Sequence, residues 1–449
     1  MHCSLSKVGV ALSQPLPQCR KSCRKPQALA SLTLWRLSSS IATVIMAKQH
    51  PLDPLSPDEI RAATTCVRQR ISTDGVRSAK VFYATLSEPP KAQVLAALNE
   101  GGAWPARTAE VALADMVTGT VFVLKVNLDA GSVVEIERLP EGVHPGITLE
   151  ELVEAEETVR NDDEVKRLCA EVGVSPEQIC CDCWSIGWED RFPKDLRLQQ
   201  AFVFARLSPH ENLYAHPLDF NAVVDANNRR ILAIDFAPHY TGKSGQRSSS
   251  TTAPAALEEQ DRLAASGRER IPPPMERHDF LPDLIAQAKG DFKLRTDLKP
   301  LQVVQPQGVS FKMDGNVLSW YNWSVHIGFN YREGLVLSNV TYFDKDENRV
   351  RPIMYRMSVA DMVVPYGEPS WPHPRKFAFD IAEYGLGMMA QSLSLGCSCV
   401  GAIHYLDGHI AGHDGQPTTI PQCICIHEED DGILWTVRLR QSCTMRQTD

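Results

Sequence analysis

Long apolar runs are missing from this chain, and with them any stretch able to cross a bilayer as a helix. The longest candidate, from Ala28 to Met46, is broken by Arg36 and by Ser38, Ser39 and Ser40. Basic excess is missing too. Lys and Arg number 46 against 55 Asp and Glu, a net charge of −9, which argues against a general affinity for nucleic acid or an acidic membrane surface. Cysteine is scarce, 13 in 449 residues and an odd number, so no disulfide scaffold is expected. No acidic residue precedes Asp53, whereas Lys7, Arg20, Lys21, Arg24, Lys25 and Arg36 are basic. That asymmetry resembles an organelle transit peptide. Met46-Ala-Lys-Gln-His-Pro51 also reads as a start of translation, so residues 1–49 are set apart as a transit-like or non-native extension.

What is present is ordinary globular composition, 43% AVILMFWYC and 22% charged, in a length that allows roughly three domains of about 150 residues. From Pro57 the pattern predicts a helix with an acidic first turn. Alternating segments at 81–84, 111–114, 121–126 and 132–137 predict strands. One helix and a meander suggest a small α+β domain over 50–145. The plan recurs over 146–240. Helices are predicted at 148–159, with an acidic face, and 164–172, then strands at 184–188, 200–206, 220–225 and 230–236, the last two joined by a turn at Asp225-Ala-Asn-Asn228. Residues 241–290 read as a linker; its Gly242-Lys-Ser244 lacks the upstream glycine of a phosphate loop. Beyond Asp291 strand follows strand, which argues a large β-sandwich over 291–449. The fold class is therefore α+β, two small helix-plus-antiparallel-sheet domains followed by a sandwich.

Asp380 carries the chemistry best. It stands among Phe377, Ala378, Phe379 and Ile381, with Tyr366 upstream. Desolvation of such a carboxyl raises its pKa toward working pH and makes it a candidate proton acceptor. Bland readings stand beside that one: an acid satisfied by Arg375 or by backbone amides, or an exposed turn residue. Gly385-Leu-Gly-Met-Met-Ala390 matches a dinucleotide fingerprint, but the upstream texture is nearly all strand. Cys397-x-Cys399 and Cys423-x-Cys425 offer a disulfide, buried thiols or a metal site; a one-residue gap crowds zinc thiolates. His404, His409, His413 and His427 lie close in sequence, yet positions five apart on a strand face opposite sides.

Taken together, Tyr355-Arg-Met-Ser-Val-Ala-Asp-Met-Val-Val-Pro-Tyr-Gly367, Phe379-Asp-Ile-Ala-Glu-Tyr-Gly-Leu-Gly387, Leu395-Gly-Cys-Ser-Cys399, Ile403-His-Tyr-Leu-Asp407 and Ile424-Cys-Ile-His-Glu-Glu-Asp-Asp-Gly-Ile-Leu-Trp435 resemble the copper/topaquinone primary amine oxidases, fungal members most of all. The resemblance covers roughly 50–435. It implies oxidation of primary amines by oxygen to aldehyde, ammonia and hydrogen peroxide, a homodimer, and copper and topaquinone as cofactors. It gives the domains N2-like and N3-like character and makes the sandwich the catalytic domain. Asp380 matches the general base and Tyr366 the hydroxyl that hydrogen-bonds the quinone. Ala378, Phe379, Glu383, Tyr384, Gly385, Gly387 and Met389 line the amine's approach by the same resemblance, and Cys399 with Cys425 matches the family disulfide. Ala382, Glu368, Ser398 and Gly408 depart mildly from the pattern. After Trp435 the pattern is lost: no Asn-Tyr-Glu/Asp-Tyr run and no His-x-His pair occurs, so the quinone tyrosine and copper histidines are expected beyond a C-terminal truncation, with no metal ligand in this chain. The expected activity of the chain alone is then nil, the alternative being a non-catalytic interaction or dimer-interfering module. Location is expected to be peroxisomal or cytoplasmic, with no nucleic-acid or membrane partner.

Overall fold

Ser56 and Glu59 form a reciprocal cap: the Ser56 hydroxyl accepts from the Glu59 amide, and the Glu59 carboxylate accepts from the Ser56 amide. In this computed structural model the cap starts α1 (Pro57–Ser72), which buries Ile60, Ala63, Val67 and Ile71 as one stripe. The stripe lies on an antiparallel sheet of β1 (Ala79–Ser87), β2 (Thr108–Asp115), β3 (Val121–Asn127) and β4 (Ser132–Arg138), in that order. The expected single helix has a companion, α2 (Lys91–Asn99), between β1 and β2. It has no side-chain cap and buries only Val94 and Ala97, so neither a start signal nor a stripe marks it in the sequence.

The plan repeats as expected. Thr148 and Glu151 form a second capping box for α3 (Leu149–Asn161), and Asp162 caps α4 (Asp163–Glu171). These helices share a core with the sheet β5 (Ile179–Ser185), β6 (Leu198–Ala205), β7 (Pro217–Asp225) and β8 (Arg230–Phe236). The strand expected at 184–188 begins earlier, because Cys180 and Cys183 act as small buried apolar residues. The acidic face of α3 is also partly interior: Glu151 and Glu156 are buried. Glu151 meets Lys80 at 2.9 Å and Arg197 at 2.6 Å, which binds α3 to β1 and to the approach to β6.

The remaining strands make two sheets. One holds β9 (Lys312–Asp314), β10 (Val317–Trp320), β11 (Trp323–Asn330), β12 (Gly334–Asp344) and β13 (Arg349–Met357), with β13 and β9 at its edges. The other runs β14 (Ala390–Gln391), β17 (Trp435–Cys443), β16 (Pro417–Asp430), β15 (His404–Ala411). Leu318, Ile327 and Phe329 from the first share a core with Ile410, Ile424 and Ile426 from the second, the sandwich arrangement. Before β14 comes a short helix, α5 (Asp380–Tyr384).

The structure describes residues 49–187, 189–207, 211–236, 285–286, 290–293, 295–299, 302–367, 375–396, 399–430, 432 and 435–443. Residues 1–48, Gly242-Lys-Ser244 and nearly all of the expected linker lie outside them, as do Glu368, Cys397 and Ser398. Every element named above belongs to one unit, His50–His278 with Arg295–Asp449. Among the described residues no helix is long and apolar enough to cross a membrane.

Candidate active site

Asp380 is the first residue of α5, a helix with no side-chain cap, which ends at Gly385 in the left-handed region (φ 81°). A neighbouring extended segment holds it in place. Val364 N–H donates to the Ala378 carbonyl at 2.9 Å, Asp380 N–H to the Met362 carbonyl at 2.9 Å, and Ile381 N–H to Asp361 Oδ1 at 3.2 Å. The Asp380 Oδ1 atom is buried without a hydrogen-bond partner. Burial pushes its carboxyl above the usual range, Asp361 adds to this, and Lys376 opposes it.

Arg375 does not serve Asp380. It reaches the other way, to Glu189 at 2.8 Å, Asp235 at 3.0 Å and Gln200 at 2.9 Å. That removes the bland reading in which this arginine neutralises the acid. Tyr366 is half-buried and meets Trp184 edge-on, centroids 6.0 Å apart at 86°. Burial and the Asp380 charge push its hydroxyl up to about 12, so it stays a proton donor at neutral pH.

Of the residues expected along the amine's approach, Glu383 is strongly perturbed. It is buried, its Oε1 accepts from the Ser185 amide, and its Oε2 has no partner. Burial pushes it up to about 8, with Asp380 adding and Ser185 opposing. Tyr384 donates to the Cys183 carbonyl at 2.6 Å and packs with Met389, Trp184 and Ile147. Phe379 is exposed and Ala378 half-buried. The glycines answer a packing demand. A Cβ on Gly387 would lie 1.9 Å from the Asn330 carbonyl oxygen, and one on Gly385 would lie 2.6 Å from that of Tyr331. They let α5 press on the β11–β12 hairpin, and every pairing between named strands is antiparallel, so the dinucleotide reading has no βαβ unit to stand on.

Sequence reasoning missed three charged groups of this region. Lys376 lies over the rings of Phe202 (4.5 Å), Tyr366 (4.6 Å) and Trp184 (5.3 Å). Asp182, held by Tyr214 at 3.1 Å, faces the same region, and Asp361 supplies a second carboxylate. A cavity of about 390 Å³ lies on the other side of α5, lined by Ala382, Glu383, Phe377 and residues from 141–147 and 185–199. Asp380, Tyr366 and Trp184 do not line it, so this cavity does not hold the candidate base.

Cys399 and Cys425 are both buried free thiols here, not a disulfide, and they pack together beside Leu393. Burial pushes the Cys425 thiol up to about 12, and the adjacent Cys399 adds to this. The four histidines do not converge. His404 and His409 lie on β15, His413 contacts Thr148, and His427 meets Glu429 at 2.9 Å. Among the described residues a single trio has ligand atoms close enough to hold an ion: His50, Asp53 and His326. Its two imidazoles are stacked 4.3 Å apart at 18°. Lone pairs lie in ring planes, and planes so nearly parallel cannot both point at one ion. His326 instead contacts Asp53 at 2.9 Å. This trio therefore does not fit copper.

Three family models match in order: the copper amine oxidase N2 domain over 50–138, its N3 domain over 150–253 and its enzyme domain over 312–447. The chain is 38% identical over 390 residues to copper amine oxidase 1 of Schizosaccharomyces pombe, covering 86% of this chain and 49% of that one. It is 39% identical over 383 residues to the peroxisomal primary amine oxidase of Pichia angusta, covering 85% and 50%. It thus spans about half the length of these relatives. The crystal structure of a copper-containing benzylamine oxidase from Hansenula polymorpha shares the fold, with TM-score 0.70 and 24% identity over 88% of this chain and 60% of that one. With its strand and helix plan and three consecutive domain models in agreement, this chain belongs to the copper amine oxidase family.

Proposed function

We propose that this chain carries the proton-accepting part of a primary amine oxidase site, with Asp380 as the base for the amine's Cα proton. The observation that carries the reading is the buried, unpartnered Oδ1 of Asp380, whose carboxyl is raised by burial and left alone by Arg375. Tyr366, protonated at neutral pH, is the proposed donor to a quinone oxygen, and Trp184 and Tyr384 exclude water around it. Topaquinone and copper, where present, supply the electrophile and the oxygen chemistry. Cys399 and Cys425 are close enough to be the proposed oxidisable pair. Oxygen as co-substrate, a homodimer and a peroxisomal or cytoplasmic location belong to the same proposal, the peroxisomal option supported by the relative named so.

The chain contains no Asn-Tyr-Glu/Asp-Tyr run, and on that ground the 449-residue polypeptide alone is expected to release no peroxide from primary amines. A coupled peroxide assay with methylamine and benzylamine on the copper-loaded protein tests this; amine-dependent turnover would overturn it. A second reading, an interaction module, is favoured by the edge strand β13, where Val350, Ile353, Met354 and Met357 are exposed. Co-purification with a full-length family member would distinguish it.

A further inference from the structure

A buried polar atom without a partner is costly, and proteins keep few of them without a use. Four such atoms belong to three residues lining the cavity of about 390 Å³: His144 Nε2, Gln199 Nε2 and Oε1, and Glu383 Oε2. The three residues come from separate places, the segment before α3, the start of β6, and α5. Gln199 and Glu383 are each 1% exposed. The volume falls within the range of about 300–1,000 Å³ usual for small-molecule sites, and Ile186, Phe192 and Phe377 add apolar lining.

The walls are held without any occupant. Arg197 donates to the carbonyls of Pro145 at 2.7 Å and Gly146 at 2.8 Å, and Ile147 N–H donates to the Glu383 carbonyl at 2.6 Å. Interior charges on the lining are already committed, Arg197 to Glu151, and Glu189 to Arg191 and Arg375. Glu141, Asp190 and Lys194 are exposed. The unpartnered groups are themselves uncharged at neutral pH, because burial lowers His144 to about 4 and raises Glu383 to about 8. Since Glu383 Oε1 accepts from the Ser185 amide, the proton falls on Oε2, which becomes a donor.

We propose that this cavity binds a small uncharged carboxamide, recognised by Gln199, Glu383 and His144. The Gln199 amide offers a donor and an acceptor side by side, and a carboxamide returns the complementary pair. The ligand's second carbonyl lone pair accepts from Glu383 Oε2, and its second N–H donates to His144 Nε2 in the tautomer protonated on Nδ1. Among the described lining residues a carboxylate ligand finds no uncommitted interior cation, and an ammonium would have to ionise Glu383 against its burial. Asp380, Tyr366 and Trp184 do not line the cavity, so the site is separate from the proposed proton acceptor and holds whether or not Asp380 is the base.

Benzamide is the probe, with benzoate and benzylammonium as charged analogues of similar shape. In the full chain labelled at isoleucine methyls, Ile147 and Ile186 line the cavity and report on it. Benzamide should shift both signals with a Kd of roughly 1 mM or tighter, and either charged analogue should bind there at least about tenfold more weakly. Gln199→Leu should weaken benzamide by about tenfold or more, whereas Glu383→Gln, which keeps a neutral donor, should stay within about threefold of wild type. Without ligand, Gln199→Leu should melt no lower than wild type, because it removes two unpartnered atoms. Methyls left unshifted at benzamide concentrations about ten times that Kd overturn the proposal. So does equal binding of a charged analogue, undiminished binding by Gln199→Leu, or lost binding by Glu383→Gln. A Gln199→Leu chain that melts lower also overturns it, since the amide would then be satisfied already by structural water.

Discussion

Arg375→Met separates two readings of the acid next door. The guanidinium is buried, with side-chain exposure of 1%, and its partners Glu189 and Asp235 are 4% and 12% exposed. Methionine keeps an unbranched apolar stem and removes the charge, leaving the two carboxylates to Arg191, at 3.0 Å from Glu189 and 2.8 Å from Asp235. Breaking a buried pair by removing one partner costs about 3–5 kcal/mol, and because Arg191 still reaches both carboxylates the expected loss at neutral pH lies at the lower end of that range. Burial pushes the Glu189 carboxyl up, but hydrogen bonds from Arg191 and Arg375 outweigh this and hold it below its usual value of 4.5. A carboxyl depressed in the folded state stabilises above its unfolded pKa and loses that contribution as pH falls through the folded one. The gap between wild type and variant should therefore narrow on acidification below about pH 4.5. Chemical unfolding at neutral and acid pH, with hydrogen exchange over 375–384, measures it. The second readout is Asp380, followed by carboxyl carbon NMR and assigned with Asp380→Asn. Its midpoint should barely move, because Arg375 does not reach it. A loss under about 1 kcal/mol would refute the buried-pair reasoning. A rise of the Asp380 midpoint by about one to three pH units would refute the claim that the acid stands without this arginine.

Other outcomes follow from the same physics. Glu151→Ala should cost about 3–5 kcal/mol, because Lys80 and Arg197 would lose their fully buried partner; an exposed-helix acid would cost under about 0.5 kcal/mol, so unfolding curves decide. Glu383 is neutral in the fold up to about pH 8 but ionises near 4.5 when unfolded. Between those values the folded chain binds more protons, so this group makes stability fall as pH rises, by at most about 1.4 kcal/mol per pH unit. Glu383→Gln should flatten that slope, as thermal unfolding across pH 5–8 would register; an unchanged slope would mean the carboxyl is ionised at neutral pH.

Much of the fold is legible locally. Ser56 with Glu59 and Thr148 with Glu151 announce two helix starts within four residues each, and alternating strands announce the sheets. The cap signature failed where no cap exists, at α2. Helical spacing misled about Glu151, which it placed on an acidic face. That residue caps its helix and neutralises Lys80 and Arg197, two partners that helix periodicity cannot see.

By itself the sequence determined the family, the repeated helix-and-sheet plan and the candidacy of Asp380 and Tyr366, because these depend on contiguous motifs and short-range periodicity. Tertiary structure alone decided what surrounds them. It turned Arg375 toward Glu189 and Asp235, brought Asp361 against Asp380, packed Gly387 on Asn330, and gathered Trp184, Phe202 and Tyr366 around Lys376. The reason is physical. The environment of a charge is set by groups within a few ångströms in space, and here those groups lie up to nearly two hundred residues away along the chain, as with Trp184 and Lys376.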